Sequence, residues 1–332
     1  MSSIDISQIP AIVARDAYHA MFQAYNAEPV IYPMLCDMHD APPGMLGDKG
    51  SVISGLGDMK RVLDGEEIKA DTVKGTYTWR CAVNRYAGRI DIPKRMLDAA
   101  DASGKVTNMI TQFASQWGRR APTQKEQIIA DILQKGTLSA GDKTVFNGSF
   151  PNETDANLGL IFDGKPFFAA TGNGHPLLAD TATPFNLTAA STLTQANIQA
   201  NLTAMRVTNA VDDRGIKIVI RPTHLIVPSG LEFTAKTILN STLLSGTANN
   251  DVNPIAGALT PITWRYLTDD TDAWWTAALG QGGGIRAYDS GAPVIEQFYD
   301  VKTKTLIVTA EFMFGAHVQD WRQWYANNKA TS

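Results

Sequence analysis

Two cysteines stand in 332 residues, Cys36 and Cys81, and they do not form a C-x-x-C pair. This excludes a zinc ribbon or a redox dithiol and leaves two reduced, partly buried thiols. A basic surplus is also missing. Lys and Arg number 29 against 33 Asp and Glu, a formal net charge of −4. A protein that grips nucleic acid by neutralising phosphates is usually basic, so this chain can sit beside nucleic acid without wrapping around it. No run approaches the roughly 18 apolar residues of a membrane span. The N-terminus, from Met1 to Ile6, has neither a basic nor an apolar signal region, so a soluble protein made inside a cell is expected. Charged residues are only 19% and hydrophobic ones 44%. That is the balance of a folded, lightly charged protein with core enough for two linked subdomains.

Catalytic signatures are scarce. No serine sits in a G-x-S-x-G elbow, and neither a phosphate-cradling G-x-x-x-x-G-K-[ST] nor a G-x-G-x-x-G occurs. Gly280-Gln281-Gly282-Gly283-Gly284 is followed by no capped helix and reads as a flexible loop. Asp269-Asp270-Thr271-Asp272 lacks the glycine and distal glutamate of a calcium loop and reads as a solvated turn. His39 lies near Asp37 and Asp40 without a third ligand at defined spacing. Arg119-Arg120 reads as solvated or ion-paired, and Trp274-Trp275 as core or interface. No metal and no cofactor are expected.

The stretch that looks most like a site is Phe162-Asp163-Gly164-Lys165-Pro166-Phe167-Phe168, closing at His175-Pro176-Leu177. It carries an acid, a base and a histidine among glycines, and a hydrolase using His175 with Asp163 is one reading. Gly and Pro on both sides of His175 favour another: a turn histidine, with Asp163 and Lys165 on a surface turn.

The apolar spacing predicts an amphipathic helix over 9–25, then a long irregular arm rich in Pro and Gly. A hairpin is expected over 65–93, running from Glu67-Ile68-Lys69-Ala70 through a Lys74-Gly75 turn into Thr76–Val83 and on to Pro93. Such a hairpin exposes unpaired edges and is better explained by docking onto a partner. Residues 105–135 carry two apolar stripes around Pro122, which kinks one helix or separates two. Thr123 with Glu126 has the spacing of a capping box. A helix over 194–211 capped by Thr194, a buried strand at Ile216–Ile220, a helix over 231–244 with Phe233 inward, and β pieces at 259–267 and 273–279 follow. The clearest sheet signal is Val294–Tyr299, a turn at Asp300–Lys304, and a return in which Leu306, Val308, Ala310, Phe312 and Phe314 share one face. The order is α+β, with no βαβ alternation.

In this order the elements resemble the major capsid protein of tailed bacteriophages, the Hong Kong 97-type fold. The segment 162–168 with His175-Pro176-Leu177 is similar to Mu-like head subunits, where it is a structural loop. The resemblance implies an N-terminal helix and arm over 1–62, an E-loop hairpin over 63–95, and a peripheral domain with a spine helix over 96–215. It further implies an axial domain over 216–290, contacts from the 245–253 and 282–284 loops, and returning strands over 291–332. It implies self-assembly into pentamers and hexamers of an icosahedral shell around double-stranded DNA, with the scaffold, portal and decoration proteins as further partners. The protein would be found in the virion and assembled in the host bacterial cytoplasm, with no catalytic role. Lys69, Lys74, Gly75, Tyr77 and Trp79 become candidate contacts to a neighbouring subunit, and Phe162, Phe167 and Phe168 anchors of the loop. An encapsulin-type shell enclosing a cargo enzyme keeps the fold and changes the contents.

Overall fold

The computed structural model describes residues 9–53, 56–59, 61–71, 76–95, 105–137, 161–178, 180–243, 251–280 and 284–329. Helix α1 runs Ile9–Ala27 and the single turn α2 Tyr32–Leu35. Helix α3, Lys105–Gln134, is 30 residues long and is one helix, not two, with Pro122 inside it. At 1.5 Å per residue it spans about 45 Å. It buries Ile110, Ala114, Ala121, Ile129, Ile132 and Leu133. Thr123 and Glu126 do not form a capping box. The Thr123 hydroxyl donates to the Arg119 carbonyl at 3.0 Å, and Glu126 reaches a different helix.

Two five-stranded sheets and a two-stranded hairpin lie on this frame among the described residues. The first sheet has the order β1 (Cys36–Asp40), β9 (Ile285–Asp289), β11 (Thr305–Val318), β10 (Val294–Asp300), with β4 (Asn84–Pro93) along the other side of β11. Strand β11 is 14 residues long, which lets it pair with three strands: β10 along Thr305–Glu311, β9 along Phe314–Val318, and β4 along Thr305–Phe314. Val308, Ala310, Phe312 and Phe314 are buried, as their spacing predicts.

The second sheet has the order β5 (Leu187–Thr188), β12 (Trp324–Asn327), β8 (Trp274–Ala277), β6 (His224–Val227), β7 (Thr260–Thr263). The chain thus leaves the first sheet after Val318 and reaches the second at Trp324. Helix α4, Gln195–Thr203, is capped by Thr194, whose hydroxyl accepts from the Asn197 amide at 3.3 Å, and continues as a π-turn over Ala204–Thr208. Helix α5 covers Glu232–Asn240. One apolar cluster joins α3 to both sheets through Leu133, Phe168, Trp264, Trp275, Phe314 and Trp324.

The structure corrects several expectations. The hairpin pairs β2 (Gly47–Ile53) with β3 (Thr76–Ala82), whereas 66–70 carry no strand and β4 belongs to the first sheet. Glycines made 47–53 look irregular. Gly50 in fact faces Trp79 across the pair, and a Cβ there would lie 2.5 Å from the indole. The aromatic ring fills the space that the missing side chain leaves. The segment Ile216–Ile220 is no buried strand. Its one bridge is Lys217 to Val211, and Val219 is 71% exposed, because the strand that enters the core is His224–Val227. Phe233 points outward at 79% exposure, since Ala235 and Leu239 define the buried face of α5. Residues 245–250 and 282–283 of the two expected contact loops, and the turn at Lys74-Gly75, lie outside the described residues.

Candidate functional site

The loop after α3 is built around a turn. Gly164, at φ +74, sends its amide to the Ile161 carbonyl at 3.0 Å, and Asp163 Oδ1 accepts from the Lys165 amide at 3.0 Å. The other carboxylate oxygen, Oδ2, lies 2.6 Å from His175 Nδ1. This is no surface turn. The Asp163 and His175 side chains are 1% and 0% exposed. His175 Nε2 is 3.1 Å from Asn186 Oδ1, and Asn186 Nδ2 donates to the Phe167 and Trp324 carbonyls at 2.8 and 3.2 Å. With the amide oriented this way Oδ1 is an acceptor, so Nε2 donates to it. The ring lies flat on Trp321, with centroids 4.2 Å apart.

Phe167 and Phe168 stack at 4.1 Å in the core, Phe168 against the end of α3 at Gly136. Phe162 is half-buried and meets the Tyr77 ring at 5.7 Å, while the Tyr77 hydroxyl donates to the Pro176 carbonyl at 3.4 Å. The loop therefore ties α3 to the hairpin and to the second sheet. Chemically it offers an orienting acid and an imidazole, but both ring nitrogens are engaged and buried, and among the described residues no nucleophile is bonded to them. General acid–base work needs the reacting proton within reach of the base, so a hydrolytic use of His175 and Asp163 is unsupported in this arrangement.

A second buried constellation escaped the sequence reading. Lys125 is 0% exposed. Its Nζ donates to Asp289 Oδ1 at 2.5 Å, the Gly291 carbonyl at 2.7 Å and the Tyr25 hydroxyl at 3.1 Å, which fills all three donors. The Tyr25 and Phe312 rings face it at 5.1 Å each. Burial, and then Asp289, push the Tyr32 hydroxyl well above its ordinary range, so it stays protonated and donates to Asp289 Oδ2 at 2.9 Å. The neighbouring Glu126 accepts from the Tyr32 amide at 2.9 Å, from the Ile31 amide and from the Trp264 indole. The available signal was two consecutive charges one turn before Ile129, on the stripe that should be apolar.

The hairpin offers the outward surface. Trp79 stacks on His317 at 4.4 Å, and the Tyr288 hydroxyl donates to Asp48. Tyr77 and Trp79 thus spend much of their surface within the chain. Beyond the strands, every residue from 61 to 71 is exposed, Lys69 among them. Met59 is fully exposed and Ile68 is 81% exposed. The charged turn Asp269–Asp272 is held by ordinary partners. Asp270 pairs with Lys329, and the amides of Thr268 and Asp269 donate to Gln134 Oε1. His39 and Asp37 form an exposed pair at 3.1 Å. Among the described residues no cluster of three or more His, Cys, Asp or Glu is placed to hold a metal ion, and no helix is long and apolar enough to cross a membrane.

Residues 80–327 match the family described as phage capsid protein. No curated protein matches the chain. Among solved structures, the capsid of Cyanophage P-SCSP1u is 12% identical over 92% of this chain and 89% of that one, with a TM-score of 0.50, which shows a shared fold. The structure of Mycobacterium phage Che8 is 14% identical over 92% and 93%, with a TM-score of 0.48. A virus-like particle from Pyrococcus furiosus is 8% identical over 94% and 98%, with a TM-score of 0.45.

Proposed function

Because the chain belongs to the phage capsid protein family and is a shell-forming major capsid protein with the Hong Kong 97-type fold, we propose that its copies close as pentamers and hexamers into an icosahedral head around double-stranded DNA. The observation that carries this reading is the hairpin extension. Residues 61–71 are exposed throughout, with Leu63 at 57% and Ile68 at 81%, and Asp71 at their end pairs with Arg214. Apolar side chains held out in this way mark an interaction surface, and a neighbouring subunit is the occupant. Lys69 is assigned to that contact, while the other two candidates, Lys74 and Gly75, lie outside the described residues. The formal net charge of −4 suits a wall that contains DNA without gripping it. Scaffold, portal and decoration proteins are its further partners, and the shell assembles in the bacterial cytoplasm. A closer kinship with Mu-like head subunits rests on the loop from Phe162 to Leu177. The family match gives no preference to an encapsulin-type shell around a cargo enzyme.

Electron microscopy of the full chain, expressed alone and beside its phage's other head proteins, tests the proposal. Closed shells of uniform diameter holding nuclease-protected DNA are expected in particles from infected cells. A protein that stays monomeric at high concentration in both settings overturns it.

A further inference from the structure

His317 is 4% exposed on β11, and neither ring nitrogen has a hydrogen-bond partner among the described residues. Polar groups buried in this way are uncommon and costly. Two aromatic rings lie nearly parallel to the imidazole. Trp79 of the hairpin is 4.4 Å away at 15°, and Tyr288 of β9 is 6.2 Å away at 14°. The charged groups around it come from four strands. Arg286 on β9 is its cross-strand partner in register, and the guanidinium sits 5.9 Å from the Trp79 ring. His39 on β1 is next to Tyr288 at 5.7 Å, and Asp37 on the same strand pairs with Arg286 at 3.4 Å. Asp48 on β2 is the acid that pulls on the imidazole, and it already accepts from the Tyr288 hydroxyl. Lys49 and Arg80 are exposed, on the outer side of the hairpin by strand alternation. The surroundings therefore suit a neutral ring and oppose a cation. Burial first, then Arg286 and His39, hold the imidazole down at about 3 against the pull of Asp48.

Besides the Tyr77 contact with Phe162 and Pro176, the hairpin has two chain connections and one apolar seat among the described residues. It joins the rest of the chain through 41–46, where Gly44 has φ +84, and through the single residue Val83. Its seat is a small cluster of Ala41, Cys81, Val83 and Tyr288 with Trp79 and Met313 against it. A movement that lifts Trp79 off His317 uncovers the imidazole at once.

We propose that His317 makes the seating of the β2–β3 hairpin on the first sheet proton-dependent, the seated hairpin accepting only the neutral ring and acid releasing it. This device operates within one subunit and does not rest on the shell reading. The sign follows from linkage. The seated state binds fewer protons than the released one, whose imidazole titrates near 6.5. Seating is therefore fully favoured above that pH and weakens about tenfold for each unit below it.

Hydrogen–deuterium exchange on the full chain between pH 7.5 and 4.5, corrected for intrinsic chemistry, reads this directly. Protection of 47–53 and 76–82 should fall about a hundredfold between pH 7.5 and 4.5, while 305–311 in the first sheet hold theirs. His317→Phe keeps a flat ring beside Trp79 and Tyr288 and should abolish the slope, whereas His39→Gln should keep it. A flat profile in the unsubstituted protein, or an unchanged slope in His317→Phe, overturns the proposal. If the phenylalanine variant does not fold, exchange at the His317 ring carbon of the unsubstituted protein decides. A midpoint below 5 supports the proposal, and one near 6.5 rejects it.

Discussion

The Glu126 carboxylate caps a helix that it does not belong to. It accepts from the amide of Tyr32, 94 residues earlier in the chain, at 2.9 Å, and so fixes the first turn of α2 to the middle of α3. A carboxylate at a helix N-terminus satisfies amides that have no partner within the helix and favours the dipole. Glu126→Ala leaves the Ile31 and Tyr32 amides and the Trp264 indole N–H buried without an acceptor. A loss of about 3 kcal/mol or more is expected, read as a lower urea midpoint of the unassembled subunit. Glu126→Gln, which keeps one acceptor oxygen, should lose less.

Lys125 and Asp289 should behave as a unit. Removing one partner of a buried ion pair costs about 3–5 kcal/mol because the other charge is stranded. Lys125→Met should show that loss in thermal unfolding. Adding Asp289→Asn should recover part of it, because the amide oxygen still serves the Gly291 amide, now bound by Asp289 Oδ1 at 2.8 Å. Equal instability of the single and double variants would count against the coupling.

Gly118 tests how α1 meets α3. Alanine favours a helix over glycine by about 1 kcal/mol. A Cβ at Gly118, however, would sit 2.3 Å from the Met21 carbonyl oxygen, which is backbone and cannot swing away. Overpacking costs about 1–3 kcal/mol, so Gly118→Ala should be net destabilising and should weaken amide protection in α1 first.

His175 carries structure. His175→Ala should lower stability by about 2–4 kcal/mol, since it leaves Asp163 buried without its partner, and His175→Phe, which keeps the ring on Trp321, should lower it less. Denaturant titration of both measures this. A variant that kept full stability while losing an enzymatic turnover of the purified protein would restore the hydrolytic reading.

The hairpin extension should separate stability from assembly. Leu63→Ser with Ile68→Ser changes only exposed positions, where effects usually stay within about 0.5 kcal/mol. The subunit's melting temperature should hardly move, while the yield of closed shells in sedimentation should fall severalfold. Normal shell yield would exclude this segment from the contact.

Patterns set by burial on one face were legible in the sequence. Leu306 to Phe314 alternate because β11 has one buried face, and the Ile110 to Leu133 stripe follows because α3 lies along a core. Features that depend on distant partners were not. Gly50 looks like a strand breaker until Trp79 lies across it. His175 looks exposed between glycine and proline until Trp321 and Asn186 close over it. Ile218 and Val219 have the composition of a core strand but face outward. Glu126 has local capping spacing, yet its donors come from residues 31, 32 and 264. Local spacing cannot encode a partner that tertiary folding delivers.

Each sheet takes one inner strand from late in the chain. Strand β11 joins β4, β9 and β10, and β12 stands between β5 and β8. As the ribosome delivers this polypeptide, the first sheet cannot close until β11 has emerged to Val318, nor the second until β12 has emerged at Trp324–Asn327, because β4 and β10 in the one and β5 in the other pair, among the described residues, with no strand but these late ones. A chain interrupted before that point presents loose strand edges instead of a finished subunit, and cellular proteases rather than the growing particle are its destination. The late position of β11 and β12 thus acts as a check on complete translation.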